Sequence, residues 1–298
     1  MLKILFLFRK INRIIGKIWI YLLVHLLKTK INQTQNINGI NLTINALEKG
    51  GQAYFDRGSY QEVINPLYKI IQEKYKPTLV FDIGANYGFI SVLYAKTFKQ
   101  AKVIAIEPGD WLCKYIEINK KTNNCNNIEI VKAICDESSG QNKGFSINPV
   151  HSQDNRVEAP STFWRKENVI TTSIDSIIEN HSNENFVFIK IDTQGFEKSV
   201  FQGAKKFLSE NSNWLIKTEF SPYHLEKQGT NPKEFLSYLI NNYSVVELVG
   251  ILNYNSNSID ELFKYEIKSD ELENFYNHII RFNTSNTGWV DLLIRKKY

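Results

Sequence analysis

From residue 79 onward, short apolar runs alternate with segments whose apolar residues recur at helical spacing. The apolar runs predict buried strands at 79–83, 102–107, 128–134, 186–192, 214–220 and 244–249, and the segments between them predict helices at 89–98, 110–121, 173–179, 198–208 and 232–241. Strands and helices that alternate in this way form parallel strands joined by right-handed crossovers. The run 288–295 predicts a last, antiparallel strand. The pattern therefore predicts an α/β fold with a doubly wound, mostly parallel sheet.

Two stretches depart from this alternation. Residues Gln52–Lys76 carry apolar side chains at helical spacing and end at Lys76-Pro77, which predicts one helix before the first strand. Residues 140–168 are rich in Pro, Ser, Asn and Gln, and they predict a hairpin or loop over the carboxyl edge of the sheet.

The N-terminal segment, residues 1–31, alternates apolar blocks with basic residues. Its longest apolar run is about ten residues, whereas a helix that spans a bilayer needs about 20. The segment predicts either a basic amphipathic helix that lies on an anionic membrane surface or on a partner, or a plain helix packed on the body. Residues 29–47 predict a linker or an irregular strand pair. Two parts are expected: the helix and linker in 1–47, and the α/β domain in 48–298.

The formal net charge of +5 is unevenly distributed over the 298 residues. Residues 1–47 hold seven basic side chains and no acid, so the remaining body is close to neutral. Nucleic-acid binding would need basic residues on the domain that carries the site, so no nucleic-acid partner is predicted. Cys113, Cys125 and Cys135 form no C-x-x-C pair and suggest neither a disulfide framework nor a zinc site. A reducing cytoplasm fits this cysteine usage, with peripheral contact at the inner membrane face if residues 1–31 bind lipid.

The first strand of the α/β domain ends in a glycine-cornered turn with the spacing Asp82-x-Gly84-x-Asn86-x-Gly88. A dinucleotide fold requires G-x-G-x-x-G, in which the second glycine lets a pyrophosphate approach the helix start. Here Asn86 stands at that position, and Asp82 would repel a pyrophosphate but accept hydrogen bonds from an ammonium group. The turn therefore favours S-adenosylmethionine (SAM). A second acid should hold the ribose hydroxyls about 20 residues further on, and Glu107 ends the next apolar strand.

An acid ends each of five predicted strands: Asp82, Glu107, Asp136, Asp192 and Glu219. Ligands in such sheets bind outside the carboxyl ends of the strands. A carboxylate at the end of a buried strand costs desolvation unless it meets a cation, a hydrogen-bond donor or a metal. These acids are therefore candidate ligand-binding residues, although Asp136 also fits a helix-capping role. Asp192 and Glu219 offer oxygen ligands to a hard cation, but no third protein ligand is evident, and no metal is predicted.

Five segments are similar, in order and spacing, to the FkbM-type SAM-dependent methyltransferases: Val80–Gly88, Ile106-Glu107-Pro108, Thr172–Ile177, Ile189–Glu197 and Gly203-Ala204. The resemblance covers roughly residues 75–220. It implies a seven-stranded, Rossmann-like sheet of the class I methyltransferases, SAM as methyl donor, and an oxygen acceptor on a sugar or another small natural product.

The chain departs from this family at one position and resembles it in a further loop. The family commonly has D-V-E-G where this chain has Asp192-Thr193-Gln194-Gly195. Gln194 cannot carry charge, which puts in doubt any mechanism that needs a carboxylate there. The loop His151–Arg156 resembles a family loop with an Asp and an Arg near the acceptor, here Asp154 and Arg156.

Methyl transfer from a sulfonium is an in-line displacement, so the protein must align donor and acceptor. A sugar hydroxyl is a weak nucleophile and is expected to need a base within about 3 Å. Asp192 is the first candidate, followed by Glu219 and by His224, which suits proton transfer near neutral pH. Lys190 is predicted either to pair with a carboxylate or to be an ordinary strand lysine. The predicted cofactor-binding residues are Asp82, Gly84, Asn86, Gly88, Glu107 and Asp136, and the predicted substrate-binding residues are Asp154, Arg156 and Lys190.

Three functions compete at this point. The first is SAM-dependent O-methylation of a hydroxyl on a sugar, a glycan or a glycan precursor. The second is a nicotinamide-dependent oxidoreductase on the same sheet, against which Asp82 and Asn86 argue. The third is a non-catalytic SAM-binding or scaffold protein, suggested by Gln194.

Overall fold

The computed structural model describes residues 31–158, 164–181, 185–248, 258–281 and 288–297. The helix predicted within residues 1–31 lies, up to residue 30, outside the described residues. The strands are β1 (Asn32–Ile37), β2 (Ile40–Asn45), β3 (Leu79–Ile83), β4 (Lys102–Ile106), β5 (Ile128–Val131), β6 (Ile134–Cys135), β7 (Asn142–Ile147), β8 (Arg156–Val157), β9 (Arg165–Thr172), β10 (Val187–Ile191), β11 (Trp214–Phe220), β12 (Tyr243–Glu247) and β13 (Val290–Lys296).

The α-helices are α1 (Lys49–Ala53), α2 (Arg57–Val63), α3 (Pro66–Tyr75), α4 (Phe89–Thr97), α5 (Asp110–Thr122), α6 (Ile174–Ile178), α7 (Glu197–Gln202), α8 (Lys205–Glu210), α9 (Pro222–Lys227), α10 (Pro232–Asn242), α11 (Ile259–Leu262) and α12 (Leu272–Arg281). Short 3₁₀ helices lie at Ser152–Asp154, Phe263–Tyr265 and Ser269–Glu271.

The central sheet has seven strands in the order β12-β13-β11-β10-β3-β4-β5. Strand β13 runs antiparallel to both of its neighbours, and the other strands pair in parallel. Successive residues of a strand point to opposite faces of the sheet. Accordingly Val80, Phe188 and Leu215 join one hydrophobic core, and Phe81 and Ile189 join another. Apolar cores on both faces confirm the predicted α/β fold with a doubly wound, mostly parallel sheet.

The single helix predicted over Gln52–Lys76 is wrong. The segment forms the three helices α1, α2 and α3, because polar residues start new helices inside it. Asp56 accepts a hydrogen bond from Gly58 N–H (2.9 Å), and Asn65 accepts one from Leu67 N–H (3.0 Å). A proline directly follows Asn65 and disfavours helical backbone at that residue.

The helix predicted over 198–208 is likewise divided, into α7 and α8. The break falls at Gly203, where a Cβ would lie 2.0 Å from the carbonyl oxygen of Asp136.

Residues 32–45 form an antiparallel hairpin, β1–β2, which corresponds to the strand pair among the two alternatives for this segment. Leu42 and Ile44 are fully buried in the core that also contains Val80. Asn119 of α5 accepts a hydrogen bond from Thr43 N–H (2.7 Å) and donates one to the Thr43 carbonyl (3.0 Å). The hairpin thus packs on the α/β core, and the boundary near residue 48 stays a prediction.

Part of the irregular stretch 140–168 forms a small sheet with the order β6-β9-β7-β8. Strand β7 pairs antiparallel with β9 and β8, which corresponds to the hairpin among the two alternatives for this stretch. Among the described helices, none is long and apolar enough to cross a membrane.

Candidate active site

A crevice of about 300 Å³ opens at the carboxyl ends of β3, β4, β10 and β11. The turns after β3 and β4 contribute Asn86 and Glu107, and the loop between β7 and β8 contributes Ser152. Apolar side chains also line the crevice: Ile106, Ile134, Cys135, Phe145 and Val157. A mixed apolar and polar lining of this kind is typical of small-molecule sites.

The turn after β3 needs its glycines for packing. Gly84 has φ +78°, and a Cβ there would lie 1.9 Å from the carbonyl oxygen of Asp192. Gly88 has the same φ, and a Cβ there would press on Ile116 of α5 at 3.0 Å. Gly84 lines the crevice but Gly88 does not. The glycines therefore let β3 approach β10 and let α4 approach α5.

Glu107 lies on the crevice wall and is held in place by two backbone donors. Asn86 N–H donates to its Oε2 (2.9 Å) and Gly109 N–H donates to its Oε1 (2.9 Å). Burial raises the pKa of the Glu107 carboxyl to about 7, against the opposing effect of these two donors. Glu107 thus lies on the crevice wall in a fixed orientation, and its contact with ribose hydroxyls stays a prediction.

Asp82 does not reach the crevice. Its side chain is 0% exposed, and it accepts a hydrogen bond from Ser91. Its Oδ1 has no hydrogen-bond partner among the described residues but lies 3.2 Å from Lys190 Nζ, which is an ion-pair distance. The prediction that Asp82 contacts the cofactor directly is therefore wrong. In the parallel pair of β3 and β10, Asp82 lies opposite Lys190, and the two charges neutralise each other.

Lys190 links Asp82 to Asp192, and both Lys190 and Asp192 line the crevice. The Lys190 ammonium lies 3.6 Å from Asp192 Oδ2 and donates to the carbonyls of Ile83 and Gly84 (3.3 Å each). Burial disfavours its charge, but Asp82 and Asp192 outweigh burial and raise the pKa of Lys190. Of its two predicted roles, Lys190 therefore has the one of pairing with carboxylates.

Asp192 is the most accessible acid of this group, with a side chain 38% exposed. The side chain of Gln194, which has a left-handed φ of +57°, donates from Nε2 to Asp192 Oδ1 (3.0 Å). The uncharged residue at 194 therefore positions the Asp192 carboxylate.

Glu219 lies on the same wall, with His224 next to it. Burial, together with the charges of Asp192 and Glu197, raises the pKa of Glu219 well above the usual range of a carboxyl group. Burial and the Arg156 charge lower the pKa of His224. His224 Nδ1 lies 3.6 Å from Glu219 Oε1 and, within the described part of the chain, has no hydrogen-bond partner. These environments favour a protonated Glu219 beside a neutral His224.

Three other predicted site residues do not line the crevice. Asp136 is 2% exposed and accepts a hydrogen bond from Lys143 Nζ (2.6 Å), so it is a structural ion-pair partner. Asp154 accepts a hydrogen bond from Asn148 (2.8 Å), and Arg156 Nε donates to the Asp154 carbonyl (2.9 Å). From their loop, Ser152, Gln153, Asn155 and Val157 line the crevice instead. The charges of Arg156 and Asp154 act on the pKa of His224, and the predicted contact of these two residues with the acceptor stays a prediction.

Sequence analysis missed the contribution of residues 48–54. Glu48 is 1% exposed and accepts hydrogen bonds from the N–H groups of Gly50 (2.7 Å), Gly51 (2.6 Å) and Ser152 (2.5 Å). It thereby fastens the loop between β7 and β8 over the crevice. Tyr54 forms another part of the crevice wall. The Gly50-Gly51 pair is the sequence feature that could have indicated this contact. A Cβ at Gly50 would lie 2.5 Å from Ser152 Oγ, so the contact requires glycine there.

The sequence profile described as the methyltransferase FkbM domain matches residues 82–246, which is more than half of the chain. The chain belongs to the FkbM methyltransferase family. The protein is therefore a methyltransferase, as predicted, and the nicotinamide-dependent alternative is set aside. The seven-stranded sheet of this FkbM methyltransferase is consistent with the class I methyltransferase fold. No curated protein matches the chain.

Several solved methyltransferases are similar to this FkbM methyltransferase. TYW2 from M. jannaschii, solved with AdoMet, has a TM-score of 0.44 and 11% identity over 90% of this chain and 88% of that chain. The O-methyltransferase from Bacillus cereus, solved with SAH, has a TM-score of 0.38 and 12% identity over 84% of this chain and 87% of that chain. Precorrin-6y C5,15-methyltransferase from Geobacter metallireducens GS-15 has a TM-score of 0.35 and 16% identity over 61% of this chain and 73% of that chain. These likenesses are remote.

Within the described residues, no group of three or more His, Cys, Asp or Glu side chains is arranged to hold a metal ion.

Proposed function

We propose that this FkbM methyltransferase transfers a methyl group from SAM to a hydroxyl oxygen of a sugar, a glycan or a glycan precursor. The observation that carries the proposal is the crevice wall, where Glu107 and Asp192 offer carboxyl groups and the Lys190 ammonium is already paired with Asp82 and Asp192. A wall whose lysine charge is already neutralised by carboxylates suits a cationic sulfonium nucleoside better than a pyrophosphate. The wall therefore suits SAM as the cofactor.

The residues on the wall fit the separate parts of SAM. Glu107 is positioned by Asn86 and Gly109 to accept hydrogen bonds from two ribose hydroxyls, as carboxylates do in related nucleotide folds. The apolar residues of the crevice, among them Ile134 and Phe145, suit the adenine ring. When bound, SAM supplies an electrophilic methyl group on a sulfonium.

Asp192 is the residue we propose as the base. As the acceptor oxygen bonds to the methyl carbon and the carbon–sulfur bond breaks, the hydroxyl proton passes to the Asp192 carboxylate. Gln194 and Lys190 hold this carboxylate at the crevice. Glu219, whose pKa is raised by burial, is a second proton carrier on the same wall, and His224 lies behind it. Because Gln194 orients Asp192, its lack of charge does not by itself favour a non-catalytic protein.

The substitution Asp192→Asn tests the base. General-base catalysis contributes about 10²- to 10⁴-fold to a rate, so we expect kcat to fall by about that factor. SAH affinity should stay within a few-fold, measured by calorimetry. The matched control is Asp110→Asn, an exposed residue that pairs with Lys114 and Lys132 on the surface. An unchanged kcat in Asp192→Asn would remove Asp192 from this role, and a chain that binds SAH without any turnover would support the scaffold alternative.

Mass spectrometry of surface glycans from cells with and without the protein tests the acceptor class. We expect a glycan component to lose the mass of one methylene group when the protein is absent. Methylation confined to a protein or lipid without sugar would contradict the proposed acceptor.

For the N-terminal segment, residues 1–31, we propose contact with an anionic membrane surface on the cytoplasmic side, supported by its basic residues and its lack of acids. Co-sedimentation with vesicles tests this. The full chain should bind vesicles that contain anionic lipid and lose binding when residues 1–31 are deleted or when the vesicles are neutral. Equal binding to neutral vesicles would contradict the electrostatic basis.

A further inference from the structure

A second cavity of about 180 Å³ adjoins the crevice. The two share Ile90, Lys190, Asp192 and Glu219 as lining residues, so the second cavity begins where the first ends. A group bound in the second cavity would therefore lie beside Asp192, the residue proposed to receive the acceptor proton.

The charges of the second cavity are internally paired. Lys217 Nζ lies 3.0 Å from Glu62 Oε1 and 3.2 Å from Asp291 Oδ2, and all three residues line the cavity. Lys190 is engaged in the same way by Asp82 and Asp192. Each of these two lysines thus faces two carboxylates, and neither has charge left for an anionic ligand. Burial raises the pKa of Asp291, and the charges of Glu62 and Asp192 act in the same direction while Lys217 opposes it.

Two further lining residues point to the kind of ligand. The Tyr94 side chain is fully buried on the cavity wall, and its hydroxyl interacts with the Tyr68 hydroxyl. Buried hydroxyl groups are normally hydrogen-bonded. Trp289, at the start of β13, is 53% exposed and offers a flat apolar surface. The cavity therefore combines a buried phenol hydroxyl, paired carboxylates and an exposed aromatic ring.

We propose that the second cavity is the acceptor subsite and that it selects an uncharged sugar ring. The ring would stack one face on the Trp289 indole, and its hydroxyls would bond to Glu62, Asp291 and Tyr94. Uronic acids, sialic acids and sugar phosphates are disfavoured, because an anionic group would meet carboxylates without a spare cation. This assignment rests on the proposed methyl transfer to a sugar and adds where the ring binds and which sugars are accepted.

Binding to a glycan array tests the subsite. The array carries neutral glycans and matched glycans that contain uronic acid, sialic acid or phosphate, and the full chain is applied with saturating SAH. We expect retention on neutral glycans only. Trp289→Ala should reduce retention on neutral glycans at least tenfold, and Trp289→Phe should keep most of it. The control Tyr265→Ala alters an exposed aromatic residue outside both cavities and should leave retention unchanged. Asp291→Asn removes one partner of Lys217 and should increase retention on anionic glycans.

Binding of SAH, measured by calorimetry on each variant, separates the possible failures. Without SAH binding by the unaltered chain, the proposed function fails. If SAH binds, the subsite assignment alone is overturned by any of three results: preference for anionic glycans, retention unaffected by Trp289→Ala, or no retention of any glycan.

Discussion

In the ligand-free protein, the ionisation of Glu107 should lower the stability of the fold as the pH rises. Burial raises the pKa of this carboxyl from its ordinary value of 4.5 to about 7 in the folded protein. The protonated form therefore favours the folded state, and this contribution is present below pH 4.5 and is lost as the pH rises to about 7. One pKa unit corresponds to about 1.4 kcal/mol, so the loss between pH 5 and pH 8 amounts to about 2–3 kcal/mol.

The substitution Glu107→Gln isolates this contribution. It removes the titration and replaces one of the two oxygen acceptors by an amide donor, so a hydrogen bond from Asn86 or Gly109 is lost at every pH. Between pH 5 and pH 8, the free energy of unfolding of the variant should therefore rise by about 2–3 kcal/mol relative to that of the wild type. Urea unfolding at a series of pH values measures it. If the free energies of unfolding of the two proteins changed in parallel with pH, the raised pKa of the buried Glu107 would be refuted.

Three other substitutions test the contacts that shape the site. Gly84→Ala should destabilise the protein by more than Gly140→Ala, since both glycines have a positive φ but only a Cβ at Gly84 meets backbone. Equal losses of stability in urea unfolding would refute the close approach of Gly84 to Asp192. Lys190→Met leaves the Asp82 charge buried and should cost about 3–5 kcal/mol. Adding Asp82→Asn should recover much of that loss, whereas additive losses would show that the two residues do not pair. Glu48→Ala leaves the N–H groups of Gly50, Gly51 and Ser152 without their acceptor and should cost about 3 kcal/mol or more. It should also weaken SAH binding, and unchanged SAH affinity by calorimetry would show that the loop fastened by Glu48 is not part of the donor site.

The fold was predictable because its determinants are local or periodic. Largely apolar runs such as 79–83 and 214–220 became strands with the expected bounds, since a strand buried on both faces directs apolar side chains into both cores. The segment Gln52–Lys76 was misinterpreted because its apolar spacing concealed the helix starts at Asp56 and Asn65, where side-chain capping outweighs periodicity.

The candidate site was only partly predictable, since strand neighbours are not visible in the sequence. Glu107 was found because a strand-ending acid follows the glycine turn at a known interval. Asp82 was misassigned because its partner, Lys190, lies 108 positions away in sequence and becomes its neighbour only through the β3–β10 pairing. Glu48 escaped notice for the same reason, because its contact with Ser152 joins residues 104 positions apart.

Calorimetric titration with SAH at pH 8 tests the central claim, that Glu107 and its neighbours form a donor site for a sulfonium nucleoside. The wild type should bind SAH and should not bind NADH. Glu107→Gln should lose about 10- to 100-fold in affinity, as expected for hydrogen bonds to a charged group worth about 1.5–3 kcal/mol. The control Glu129→Gln, which removes a surface partner of Lys102, should bind SAH as the wild type does. Equal affinities in wild type and Glu107→Gln, or a site that takes NADH in preference to SAH, would contradict the account.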